Sequence, residues 1–63
     1  MGQNKLKELR LQKDITQTRL SVLSGYSRQW INRVEKGTKK PSRRFQMHIS
    51  KVLGATVKEV FGG

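Results

Sequence analysis

The chain has no cysteine and a single histidine, His48. Disulfide cross-links are thereby excluded, and no ligand set for a structural zinc can be assembled. His48 is expected to be a surface or boundary side chain. Acid is scarce too, with four Asp and Glu against fourteen Lys and Arg. Glu35 stands without a second carboxylate, a nucleophile or a partner histidine, so the sequence offers no catalytic constellation and an enzyme is not expected. The few aromatic side chains do not form the stacking pattern by which single-strand readers hold RNA. No apolar run approaches the ~20 residues that a membrane span needs, and no signal-peptide pattern is present. Met1-Gly2 opens the chain, but Leu6 stands where N-myristoylation wants Ser or Thr. These absences predict a soluble, intracellular protein with no membrane partner, no cofactor, no metal and no small-molecule ligand.

What remains is small and basic. At 63 residues there is room for one domain, residues 1–63, whose core is marginal and unstapled. A formal net charge of +10 repels itself in the folded state, and a polyanion relieves that repulsion. Nucleic acid is the obvious candidate.

Apolar periodicity predicts an all-α, compact five-helix bundle without strands. Helix 1 spans roughly Asn4 to Lys13 and buries Leu6, Leu9 and Leu11, stopping before Asp14. Helix 4 spans roughly Ser42 to Leu53, buries Phe45, Ile49 and Val52 or Leu53, and ends at Gly54. Helix 5 starts at Thr56, where Thr-Val-Lys-Glu makes a capping box with Glu59. Between them, residues 17 to 37 read QTRLSVLSGYSRQWINRVEKG. Leu20 and Leu23 lie three apart, as do Ile31 and Val34, so each of two short helices buries one face. Thr16 and Ser27 suit N-caps. Gly25 lets the chain turn between the two helices with φ > 0, and Gly37 closes the second. At about 100° per residue, Gln29, Asn32, Arg33 and Lys36 fall opposite Ile31 and Val34. That outer side is wholly polar and carries no acid.

Several spaced features carry a resemblance: Gln17 opening the second helix, Leu20-Ser21, Ser24-Gly25-Tyr26-Ser27 at the turn, Ile31 and Val34, Glu35-Lys36-Gly37, Pro41-Ser42, and Leu53-Gly54 with Val57, Val60 and Phe61. In these the chain resembles the Xre-type helix-turn-helix family, the Cro and phage-repressor group, from about Leu6 to Phe61, with the helix-turn-helix at about 17–36. Two departures stand out. Ser21 replaces the usual alanine at the helix-helix contact but is small enough to fit, and Trp30 is bulky where many members carry a small or polar residue. The resemblance implies a phage-repressor-like fold and a double-stranded DNA partner. It also implies operator contacts at Gln17, Arg28, Gln29 and Arg33, and an ion pair between a helix 1 arginine and a glutamate ending helix 3. Arg10 and Glu35 match those two residue types, and each follows a core residue at the edge of a buried face. A scaffold role is therefore expected for the pair.

Seven of the fourteen Lys and Arg fall between Arg28 and Arg44, offset only by Glu35, which makes one end of the molecule electropositive. Arg28, Arg43 and Arg44 occupy first helical turns, where the macrodipole disfavours positive charge by a few tenths of a kcal/mol. Contact with phosphates or base edges explains their placement better than helix stability does. A solvated charged face, or a localisation signal at Lys39-Lys40-Pro41-Ser42-Arg43-Arg44, is the blander reading. Gln29 and Arg33 are the leading candidates to read base edges, since Arg matches guanine O6 and N7 and Gln matches adenine N6 and N7. Arg28 could read a base or clamp a phosphate, and Asn32 lies at the edge of the same arc. Gln17, Ser27, Lys36, Lys39, Lys40, Arg43 and Arg44 are expected at the DNA backbone. Trp30 lies about 80° from the buried centre, where it either packs on Tyr26 or the next loop, or meets a sugar or thymine methyl.

Two functions follow. One is a small cytoplasmic transcriptional regulator, bacterial or phage-encoded, most simply a repressor on a pseudo-palindromic operator. With no sequence left after residue 63 for an effector or oligomerisation domain, control would come through abundance or a partner. The other is an antitoxin-like or accessory interaction protein whose DNA binding autoregulates its expression. Because one recognition helix covers about half of a useful site, a weak homodimer formed on DNA is expected, with Val57, Val60 and Phe61 partly available for its contact.

Overall fold

The computed structural model describes residues 4–62. Among them the chain forms α1 (Leu6–Gln12), α2 (Gln17–Ser24), α3 (Arg28–Lys36), α4 (Arg43–Leu53) and α5 (Val57–Phe61), with no strand. Local chemistry sets the ends. Thr16, Ser27 and Ser42 each accept a hydrogen bond from the backbone N–H three residues on, capping α2, α3 and α4. Thr56 and Glu59 complete a reciprocal capping box on α5. The helix-turn-helix corner turns at Gly25 with φ of 84°, and α3 is closed by Gly37 with φ of 81°. A Cβ at Gly25 would meet nothing within 4 Å, so glycine is needed there for its backbone angle and not for space. Asp14 takes the same left-handed role after α1 with φ of 56°, and the Ile15 N–H closes back onto the Arg10 carbonyl.

The core is Leu6, Leu20, Ile31, Val34, Phe45, Ile49, Leu53 and Val60, so every helix contributes at least one fully enclosed side chain. Leu9, Ile15, Tyr26, Trp30, Val52, Ala55 and Phe61 pack around it. Tyr26, Trp30 and Phe45 form an aromatic cluster in which the Trp30 ring stacks on Phe45 at 5.4 Å and meets the edge of Tyr26 at 4.9 Å. The Tyr26 hydroxyl and exposed His48 Nδ1 of α4 lie 3.1 Å apart. Two polar ties fix the chain start. Asn4 donates to the Val34 carbonyl at the end of α3, and the Lys5 N–H donates to the Val60 carbonyl of α5.

Two expected core residues lie outside. Leu11 is 55 % and Leu23 46 % exposed. On α1 the buried side chains are Leu6 and Arg10 with Leu9 beside them, which puts Leu11 about 150° from the centre of that face. On α2 the inward arc runs through Leu20, Gln17, Ser21 and Ser24. Close approach to α3 selects small residues there, and Ser21 hydrogen-bonds the Tyr26 carbonyl across the turn. Leu23 and Val22 are rotated past the edge of that arc.

Candidate nucleic-acid interface

The outer face of α3 is built by its core-facing residues. Ile31 and Val34 are fully enclosed and Glu35 nearly so, which fixes the rotation of the helix and turns Gln29, Arg33 and Lys36 to solvent. Among the described residues neither the Gln29 nor the Arg33 side chain takes a protein hydrogen bond. Gln29, Arg33, Ser27, Trp30 and Lys39 surround a shallow cavity of about 220 Å³ on one flank of the helix. Lys39 extends over the Trp30 ring, with Nζ 5.0 Å from its centroid. This packing accounts for the half-buried Trp30: its ring belongs to the aromatic cluster, roofed by a lysine.

On the other flank Gln17, Asn32, Glu35 and Lys36 line a second cavity of about 260 Å³, together with Lys7 of α1. Lys7 was not legible as a site residue, because only the fold carries α1 to the end of α3. Arg28 is exposed at the tip of α3 and lines a larger cavity of about 540 Å³ with Arg10, Asp14, Thr16 and Gln17. Arg43 and Arg44 are exposed in the first turn of α4, where they line a separate hollow with Met47 and His48. Lys40 is exposed between the two helices. The expected contact residues thus fall into groups around α3, with Arg43 and Arg44 on the next element.

Behind this face, Arg10 and Glu35 meet as a buried two-point ion pair. Nε lies 2.7 Å from Oε2 and Nη2 3.2 Å from Oε1, while Nη1 donates to the Ile15 carbonyl at 2.7 Å. The two residues are 5 % and 8 % exposed, so the charges sit out of water and depend on each other. Gln17, expected at the DNA backbone, is half-buried in the free protein. Its Nε2 donates inward, to Glu35 Oε1 at 3.0 Å and to Asn32 Oδ1 at 3.1 Å. Both hydrogens of its amide are therefore committed to protein, because the Glu35 carboxylate facing it can only accept. Val60 is a correction: it is fully enclosed in the core and presents no surface to a second copy, whereas Val57 and Phe61 stay half-buried. The short α5 must spend Val60 on covering the junction with α1.

A capped, glycine-cornered helix pair with an acid-free outer arc is matched along almost its whole length by one family. The helix-turn-helix domain model fits residues 4–60. The chain belongs to the Xre-type helix-turn-helix family. A helix-turn-helix-type transcriptional regulator of Methanocaldococcus jannaschii, itself uncharacterized, is 38 % identical over 58 residues, covering 92 % of this chain and 88 % of that protein. Among solved structures, the restriction-modification controller protein C.AhdI from Aeromonas hydrophila superposes with a TM-score of 0.84 at 31 % identity, covering 87 % of this chain and 83 % of that one. Membership places this helix-turn-helix chain among DNA-binding transcriptional regulators and not among enzymes. No helix among its described residues is long and apolar enough to cross a membrane.

Proposed function

We propose that this chain is a transcriptional repressor that occupies a pseudo-palindromic operator as a two-fold pair. The observation that carries the proposal is the outer arc of α3, where Gln29 and Arg33 stand exposed beside each other on a helix whose rotation is fixed by Ile31, Val34 and Glu35. In the major groove these two side chains read base edges, with Arg28 at the tip of the helix. Ser27, Lys36, Lys39 and Lys40 approach the flanking phosphates, and Arg43 and Arg44 extend the contact at the start of α4.

Size supports the pairing. The described residues extend 26 × 21 × 20 Å, less than the roughly 34 Å that separates successive major-groove faces on one side of the duplex. A two-part operator therefore takes two copies. Val57 and Phe61 leave only a small apolar surface for their contact, well short of the 1,200 Å² or so that a lasting free dimer buries. The pair accordingly forms on DNA and is monomeric off it.

Selection from random duplexes tests the reading, followed by binding to the full site and to an isolated half-site. A sharp inverted repeat bound more tightly per half-site than the half-site alone is the expected result. A featureless pool would overturn it in favour of a protein-binding accessory role, and equal half-site affinities would remove the cooperative pair.

A further inference from the structure

The hollow at the start of α4 has a character that phosphate does not explain. It measures about 390 Å³ and its wall is mostly apolar, although Arg43 and Arg44 line it together with Met47 and His48. Met47 is 55 % exposed there, and its thioether offers a phosphate oxygen no hydrogen. DNA accounts for the arginines and not for the methionine. Neither arginine side chain is engaged in a hydrogen bond or ion pair among the described residues, so both guanidinium forks are open to carboxylates, which they meet two hydrogen bonds at a time. His48 is steadied from behind. Its Nδ1 lies 3.1 Å from the Tyr26 hydroxyl, and its Nε2 has no partner among the described residues. Lys51 lies one turn past Met47 and continues the exposed basic row.

We propose that this hollow docks an acidic peptide segment of another protein, with one apolar side chain of the segment on Met47 and its carboxylates on Arg43 and Arg44. The match is chemical on both counts. Arginine and methionine are enriched where proteins meet and lysine is depleted, and an unbranched thioether adapts to whichever apolar side chain arrives. A carboxylate beside Arg43 and Arg44 also lies at the positive end of α4, where the arginines themselves are disfavoured. A second copy of the chain is a poorer occupant. It brings a net charge of +10, its Glu35 is buried against Arg10, and its Glu59 is taken by the capping box of α5. Only Glu8 and Asp14 remain, near the exposed Leu11 but with Lys7 one turn before it. Since Arg43 and Arg44 also reach phosphates in the proposed DNA complex, a docked segment and a duplex compete for them. That competition rests on the DNA-binding reading, and the docking itself does not.

So basic a chain holds any acidic peptide weakly, and the apolar half of the site therefore decides the test. The full chain is used to select from a displayed library of random dodecapeptides, and an enriched peptide is then titrated by calorimetry and by NMR. Enriched sequences should place Asp or Glu around one Leu, Ile or Phe, and binding should shift the Met47 and His48 resonances. Met47→Ser should weaken the peptide roughly tenfold, as should a serine in place of the peptide's apolar residue, while Met47→Leu keeps the affinity and duplex binding is unchanged in both variants. Arg43→Ala and Arg44→Ala should weaken peptide and duplex together. The docking is overturned if nothing is enriched, if Met47→Ser binds the peptide as tightly as the wild type, or if the shifts fall outside the hollow. Leu11 and Met47 resonances that move together as protein concentration rises would put a second copy in the hollow, and a duplex affinity that drops in Met47→Ser would make it part of the DNA contact. Either result overturns the peptide. A peptide that docks on a chain without duplex affinity upholds the docking and removes the DNA-binding reading, and one that docks without displacing a bound operator removes the competition alone.

Discussion

Arg10 and Glu35 hold one another in a place that water barely reaches, which makes each costly without the other. Arg10→Met leaves the Glu35 carboxylate with Gln17 alone, and removing one partner of a buried pair costs about 3 kcal/mol. In a chain this short that lowers the melting temperature by on the order of 15 °C, measured by circular dichroism. An unchanged melting curve would mean the pair bears no stability. The exposed residues behave differently. Gln29→Ala and Arg33→Ala should each lose roughly 1 to 3 kcal/mol on the operator and little on random duplex, whereas Lys40→Ala and Arg44→Ala should weaken both in parallel. Titrations on the two DNAs distinguish reading from anchoring, and equal losses for the first pair would strip it of its reading role. The family resemblance forecast the ion pair, and the sequence added only that Arg10 and Glu35 match its residue types at the edges of two buried faces. Gln17 escaped, since nothing in its neighbours in sequence reveals that its partners are fifteen and eighteen positions away.

Helix ends are where this fold was most legible, because capping is short-range chemistry. Thr16, Ser27 and Thr56 announce themselves within four residues, and Gly25 marks the corner. Gly25→Ala should destabilise by about 1 kcal/mol through its left-handed backbone alone, with no steric clash. Thermal denaturation checks this, and a loss no greater than at an ordinary exposed loop position would contradict the stated cause. At α5, hydrogen bonds from the Thr56 backbone and side chain hold the Glu59 carboxyl below its ordinary value, against a small opposing effect of burial and aided by Lys13. A depressed carboxylate stabilises the fold above its unfolded-state pKa, and that contribution is lost as pH falls through the lower folded value. Acid denaturation of Glu59→Gln should therefore be less steep than that of the parent below the ordinary carboxylate range, and superimposable curves would count against the cap. Faces were harder than ends. Leu23 satisfies helical spacing yet points outward, because a window of one helix does not disclose that its neighbour approaches over serines, whereas Leu11, two residues after Leu9, falls off the buried arc by spacing alone.

For the molecule as a whole, charge is the controlling quantity. Affinity for duplex DNA should fall with salt on a log-log slope of about −0.9 per phosphate neutralised. Fluorescence anisotropy across a salt series measures it, and a flat response would contradict the role assigned to the basic cluster between Arg28 and Arg44. The electropositive end was visible in composition, but its division into flanks was not. Only folding brings Lys7 of α1 beside Asn32 and Lys36, and sends Arg43 and Arg44 to a separate hollow. The aromatic cluster has an optical consequence. Trp30 is the chain's single tryptophan, and its indole is touched by Tyr26 at the corner, Phe45 of α4 and the Lys39 ammonium. The emission of that one ring should therefore change whenever α4 shifts against the helix pair or Lys39 moves off the indole. The unlabelled protein thus carries its own optical reporter at the edge of α3.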